Sequence, residues 1–102
     1  MTDLPIACAL DPVTLEQQKN GLLPGLVRRA IARAPLSEGL RLTFAPTSEV
    51  LAAITQTVDA ERQCCPFLRF QLTVEPAGGP VVLEVTGPPG TRAFLDQLGA
   101  TG

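Results

Sequence analysis

The stretch FLRFQLTVEPAGGPVVLEVT, Phe67–Thr86, decides the fold. Its first half alternates. Leu68, Phe70, Leu72 and Val74 fall on one side; Arg69, Gln71, Thr73 and Glu75 fall on the other. Side chains of an extended chain change face at every residue, so this pattern predicts a strand with one apolar face. Pro76-Ala77-Gly78-Gly79-Pro80 makes a tight loop, and Val81, Leu83 and Val85 then repeat the pattern with Glu84 and Thr86 outward. Two such runs around a Gly/Pro loop predict a hairpin. Each strand keeps one polar face, so only one side of the sheet needs covering.

Working outward, Leu40-Arg41-Leu42-Thr43-Phe44 alternates in the same way after Gly39 and predicts another half-buried strand. Pro46-Thr47-Ser48-Glu49 opens a helix with a hydroxyl cap and an acid in the first turn. Leu51, Ile54, Val58 and Cys65 share a stripe along it. Upstream, Leu4–Leu10 reads as a short strand and Val13–Lys19 as a polar helix behind Asp11-Pro12. Asn20-Gly21 interrupts that helix. Leu22, Leu26, Val27, Ala30 and Ile31 then fall at helical spacing, and the Ala34-Pro35 step is expected to end the segment. Downstream, Gly87-Pro88-Pro89-Gly90 breaks the last strand, and Thr91 caps a short helix carrying Phe94, Leu95 and Leu98.

These elements predict a single domain over residues 1–102. It is an α+β two-layer sandwich, with about four strands in a mixed or antiparallel sheet and helices on one face. Strand order is not legible.

Composition excludes several function classes. Net charge is −2, which gives no large positive field for nucleic acid. No apolar run approaches the roughly 20 residues needed to cross a bilayer. The opening MTDLPIACAL lacks the basic start and long apolar stretch of a signal peptide. A cytoplasmic protein with reduced thiols is therefore expected. Histidine is absent, which removes Cys-His and Ser-His-Asp machinery and argues against an enzyme.

The chemistry-bearing segment is Glu61-Arg62-Gln63-Cys64-Cys65-Pro66. Pro66 disfavours helix at Cys65, so Cys64 is expected as the last helical residue and Cys65 in the turn beyond it. Residues three and four apart touch on a helix, which brings Glu61 beside Cys64 and near Cys65. If Glu61 is buried it needs a partner, and Arg62, Arg69 or a backbone amide could serve. A helix C-terminus and a carboxylate both disfavour free thiolate. A soft cation overcomes this by displacing the thiol proton itself. The leading expectation is a thiol protein binding a soft, thiophilic metal ion through Cys64 and Cys65. Cys8 would be a third ligand, and Glu61 and Arg62 would tune the site. The alternative is a protein-interaction module or homodimer whose cysteines are buried small apolar residues. There Phe67 is either an exposed contact on the outer sheet face or tucked under the following helix.

The string Glu61-Arg62-Gln63-Cys64-Cys65-Pro66-Phe67-Leu68-Arg69-Phe70 is similar to the core motif of a family of small bacterial proteins of uncharacterised function. The likeness extends to the hairpin that follows and to the TGPPGT…FL ending, and includes the IACAL and LLPGLVRRA segments. The resemblance implies a shared fold and a shared reason for the cysteine pair. Its association with metal or mercury handling would bear on Glu61, Cys64 and Cys65, with Cys8 a further candidate.

Overall fold

The computed structural model describes residues 22–97. Within them the order is α1 (Leu22–Arg29), β1 (Ala32–Leu36), β2 (Gly39–Phe44), α2 (Ser48–Cys64), β3 (Arg69–Val74), β4 (Val81–Thr86) and α3 (Thr91–Gln97). The four strands form one antiparallel sheet in the order β1-β2-β4-β3.

The central pair, β2 and β4, carries the alternation that the sequence shows. Leu40, Leu42 and Phe44 are buried, as are Val81, Leu83 and Val85, whereas Arg41 lies opposite Glu84 on the other face. Among the described residues, the helices cover the apolar face and leave the polar one to Arg41, Glu84 and their neighbours. Ile54 of α2, Phe94 and Leu95 of α3, and Leu23, Leu26 and Val27 of α1 complete the core. This is the α+β two-layer architecture, with the sheet wholly antiparallel.

The first described strand departs from the sequence reading. The helix was expected to continue past Ala30 and Ile31 to the Ala34-Pro35 step. It stops at Arg29 instead, and Ala32–Leu36 forms an edge strand against β2. The Ile31 amide already donates to the Thr43 carbonyl at 2.8 Å. The pre-proline preference for extended backbone that should have ended a helix here belongs to a strand. Proline is tolerated there because an edge residue need not donate to the ladder. Gly39, which follows the two-residue turn, lies so close to the Val85 carbonyl that no Cβ would fit. The expected strand Leu4–Leu10, the helix Val13–Lys19 and Cys8 lie outside the described residues.

Helix α2 starts as its sequence predicts. The Thr47 hydroxyl accepts from the Val50 amide at 3.1 Å. Its buried positions are Ile54, Thr57 and Glu61, a line rotated slightly from the expected stripe. Thr57 satisfies its hydroxyl by donating to the Ala53 carbonyl at 2.8 Å, so it can sit in the core. Phe67 resolves to the tucked alternative: its ring meets Phe94 edge-on, with centroids 5.2 Å apart.

The TGPPGT loop before α3 holds an anion of the protein's own. The Glu38 carboxylate accepts from the amides of Gly90 at 3.2 Å and Arg92 at 3.0 Å. A carboxylate at the first turn offsets the positive end of the helix and satisfies its free amides.

Candidate functional site

The turn that ends α2 contains both described cysteines, and it sends them in opposite directions. Cys64 is the last helical residue and is exposed; Cys65 is the cap residue and is fully buried. The Cys65 amide donates to the Glu61 carbonyl at 2.6 Å, and the Cys65 carbonyl accepts from the Leu68 amide at 3.0 Å. Pro66 forces this geometry. With φ −126° and ψ 71°, Cys65 has left the helical region, so its side chain swings inward beneath the helix end.

Beneath that turn lies Glu61, 3% exposed. Its carboxylate accepts hydrogen bonds from the Cys65 thiol and from the backbone of Leu23. Leu23 is in the first turn of α1, where backbone amides lack partners within the helix. Glu61 thus ties the end of α2 to the start of α1. One of its oxygens, Oε2, has no hydrogen-bond partner among the described residues. Burial raises the proton affinity of Glu61 above the ordinary carboxylate value, and the two hydrogen bonds only partly oppose this. The Cys65 thiol is pushed up to about 12. Burial is the main cause, followed by the charge of Glu61 and the hydrogen bond to it, with Cys64 adding to the effect. Cys65 is therefore a protonated thiol at neutral pH.

Arg62 does not join this group. It pairs with Asp59 on the outer surface, Nη2 to Oδ1 at 2.8 Å, and both residues are well exposed. Arg69 lies exposed at the start of β3. Glu61 is instead partnered by the backbone amide, as the sequence allowed, and by the adjacent thiol. No group of three or more Cys, Asp or Glu among the described residues is placed to hold a metal ion. None of the described helices is long and apolar enough to cross a membrane.

A second feature escaped the sequence reading. The apolar face of β3 runs out from under the helices. Leu68 is buried and Phe70 half-buried, but Leu72 is 42% and Val74 60% exposed. Beside them Ile54, Thr55 and Val58 of α2, with the Asp59–Arg62 pair at the rim, line a mostly apolar groove of about 230 Å³ against Phe70 and Leu72. The alternation of β3 identifies its apolar side. It carries no signal of how far α2 reaches over it.

The fold and the site together define a small α+β protein with a buried acid–thiol pair at a helix end. No family model matches the chain, and no curated protein or solved structure matches it.

Proposed function

We propose that this chain is a small cytoplasmic thiol protein that binds a soft metal ion, or another thiophilic ligand, at the turn ending α2. Cys64 and Cys65 are the ligands, Cys8 is a third, and Glu61 tunes the site. The observation that carries this reading is the hydrogen bond between the Cys65 thiol and a buried carboxylate of raised proton affinity. A thiol must lose its proton to bind a metal. When a soft cation meets Cys65, the S–H bond breaks and the sulfur keeps the electron pair for the cation. The proton passes to Glu61, which burial has readied to accept it. The buried site then exchanges a carboxylate charge for a metal–thiolate bond beside a neutral acid. The exposed Cys64 is the sulfur that a ligand reaches first. Engaging Cys65 as well requires the terminal turn to open, since the two side chains face apart.

The test is a titration of the fully reduced protein with Cu(I) against a coloured competing chelator. The expected result is one tight equivalent, lost in the Cys64→Ser/Cys65→Ser double variant and weakened in Glu61→Gln. Equal affinity of the native protein and the double variant would sink the reading. Complete burial of Cys65 favours a second reading, a non-catalytic interaction module or homodimer in which Cys65 is a structural core residue; the expected burial does not extend to Cys64, which is exposed. Equal affinities in the same titration would support it.

A further inference from the structure

We infer that β3 is a self-pairing edge: two copies of this chain join β3 to β3, antiparallel, about a two-fold axis at Leu72. The four-stranded sheet then continues to eight strands. This goes beyond the thiol reading and does not rest on it.

Among the described residues the sheet has two edges, β1 and β3, and they differ. At the β1 edge the strand has five residues, with Pro35, which has no amide to donate, and the exposed Arg33 among them. Proline and charge are ordinary means of keeping an edge from pairing. The β3 edge has no proline, and its one charge, Arg69, stands at its first position, leaving Phe70 to Val74 uncharged. It presents a six-residue ladder with an apolar face of Phe70, Leu72 and Val74, the last two substantially exposed. Such an edge is a template for another strand.

The sequence of this edge says which strand fits. In an antiparallel pair centred on Leu72, Leu72 meets itself, Phe70 meets Val74, Gln71 meets Thr73 and Arg69 meets Glu75 of the second copy. Like faces stay together, and each symmetric contact occurs twice, as an isologous interface requires. Arg69 and Glu75 are exposed, and neither has an ion-pair partner among the described residues. The neighbouring registers that also keep the faces matched are worse. Centring on Gln71 sets Arg69 against Thr73, and centring on Thr73 sets it against Ala77. Only the Leu72 register joins opposite charges while closing the apolar row. It also brings the two α2 grooves together on one side, covering Leu72 and Val74 from both copies.

Sedimentation velocity on the reduced full chain, from about 1 µM to about 1 mM, tests this. The native protein is expected to pass from monomer to dimer within that range. Leu72→Lys, which sets two ammonium groups against each other at the axis, should remain monomeric with an unchanged far-ultraviolet spectrum. Arg69→Glu should weaken the dimer by about tenfold or more, because it faces Glu75 twice. The swap Arg69→Glu/Glu75→Arg should recover most of that loss. The last result separates this register from a general stickiness of the groove. A native protein that is monomeric throughout would overturn the proposal. So would a dimer indifferent to Leu72→Lys, or a swap no better than Arg69→Glu alone.

Discussion

Leu72 and Leu83 face each other across the β3–β4 ladder, and so do Val74 and Val81. The four residues come from one hairpin, on one face, with nearly the same alternation. Yet Leu83 and Val81 are sealed, whereas Leu72 and Val74 remain 42% and 60% exposed. The difference comes from position in the sheet. β4 lies between two neighbours under the helical layer, and β3 is an edge that the helical layer does not fully reach. An alternating pattern specifies which face of a strand is apolar. Coverage of that face is decided by strand order and helix length, which are properties of the whole fold.

The largest test of this contrast is stability. Leu83→Ala removes buried methyl groups from a packed site and should cost about 2–5 kcal/mol. Leu72→Ala, measured by urea unfolding in dilute solution, should cost about 1 kcal/mol or less, because much of its surface is already wet. Similar losses at the two positions would mean that something covers β3 as fully as α1, α2 and α3 cover β4.

The α2 terminus repeats the contrast at a single peptide bond: Cys64 is outside and Cys65 inside. Here pH reports the difference. The folded state raises the Cys65 thiol from 9.0 to about 12. Between those values the unfolded chain has lost the proton and the folded protein keeps it. Stability contributed by this group is therefore complete below about pH 9 and lost as pH rises toward 12. The chain has no tyrosine and Lys19 is its single lysine, so few other groups titrate in that window. Cys65→Ala should flatten this alkaline fall. Glu61 has the same sign in acid. Its proton affinity is also raised by folding, so the protein should gain stability as pH falls from neutrality toward the ordinary carboxylate value of 4.5. Glu61→Gln should abolish that gain. A native protein whose stability is flat from neutrality to pH 4.5 would show that Glu61 is not buried as an acid.

Chemical modification gives a smaller effect on the same pair. A water-soluble alkylating reagent at neutral pH should label Cys64 promptly. Cys65 should be labelled only as fast as the helix end opens, and mass mapping of the peptides would separate the two. Equal labelling of both sulfurs would show that the terminal turn is already open.

Sequence legibility follows the range of each interaction. The β3–β4 hairpin and the Thr47 cap depend on residues within a few positions of one another, and both could be read directly. So could the end of the helix at Cys64 with Cys65 in the turn beyond it, because Pro66 acts on its immediate neighbour; that this turn leaves one sulfur outside and buries the other was not legible, since the two were expected to meet as ligands. Strand β1 was not legible. Ala32-Arg33-Ala34-Pro35-Leu36 has little apolar alternation, and a pre-proline residue ends a helix as readily as it enters an edge strand. The Glu38 cap on α3 joins residues more than fifty positions apart, and no local pattern marks it. Glu61 is intermediate. Its spacing continues the line of Ile54 and Val58, which raised the case of a buried acid needing a partner, but its partnership with the Leu23 backbone depends on how α1 docks. The expected third ligand, Cys8, lies outside the described residues.

The smallest effect lies on the outer face of the same sheet. Arg41 sits opposite Glu84, and its Nε and Nη2 both reach Oε2, at 2.8 and 2.7 Å. The geometry is good, but the Arg41 side chain is half exposed and water screens the pair. A double-mutant cycle with Arg41→Ala and Glu84→Ala should give a coupling of about 0.2–1 kcal/mol, shrinking in high salt. That range is well below the expected cost of Leu83→Ala, one residue from Glu84 on the opposite face. The cycle therefore asks whether the sheet has one covered face or two. A coupling well above 1 kcal/mol that resists salt would mean the outer face is also shielded from water. The helical layer could not then be the only cover on the sheet.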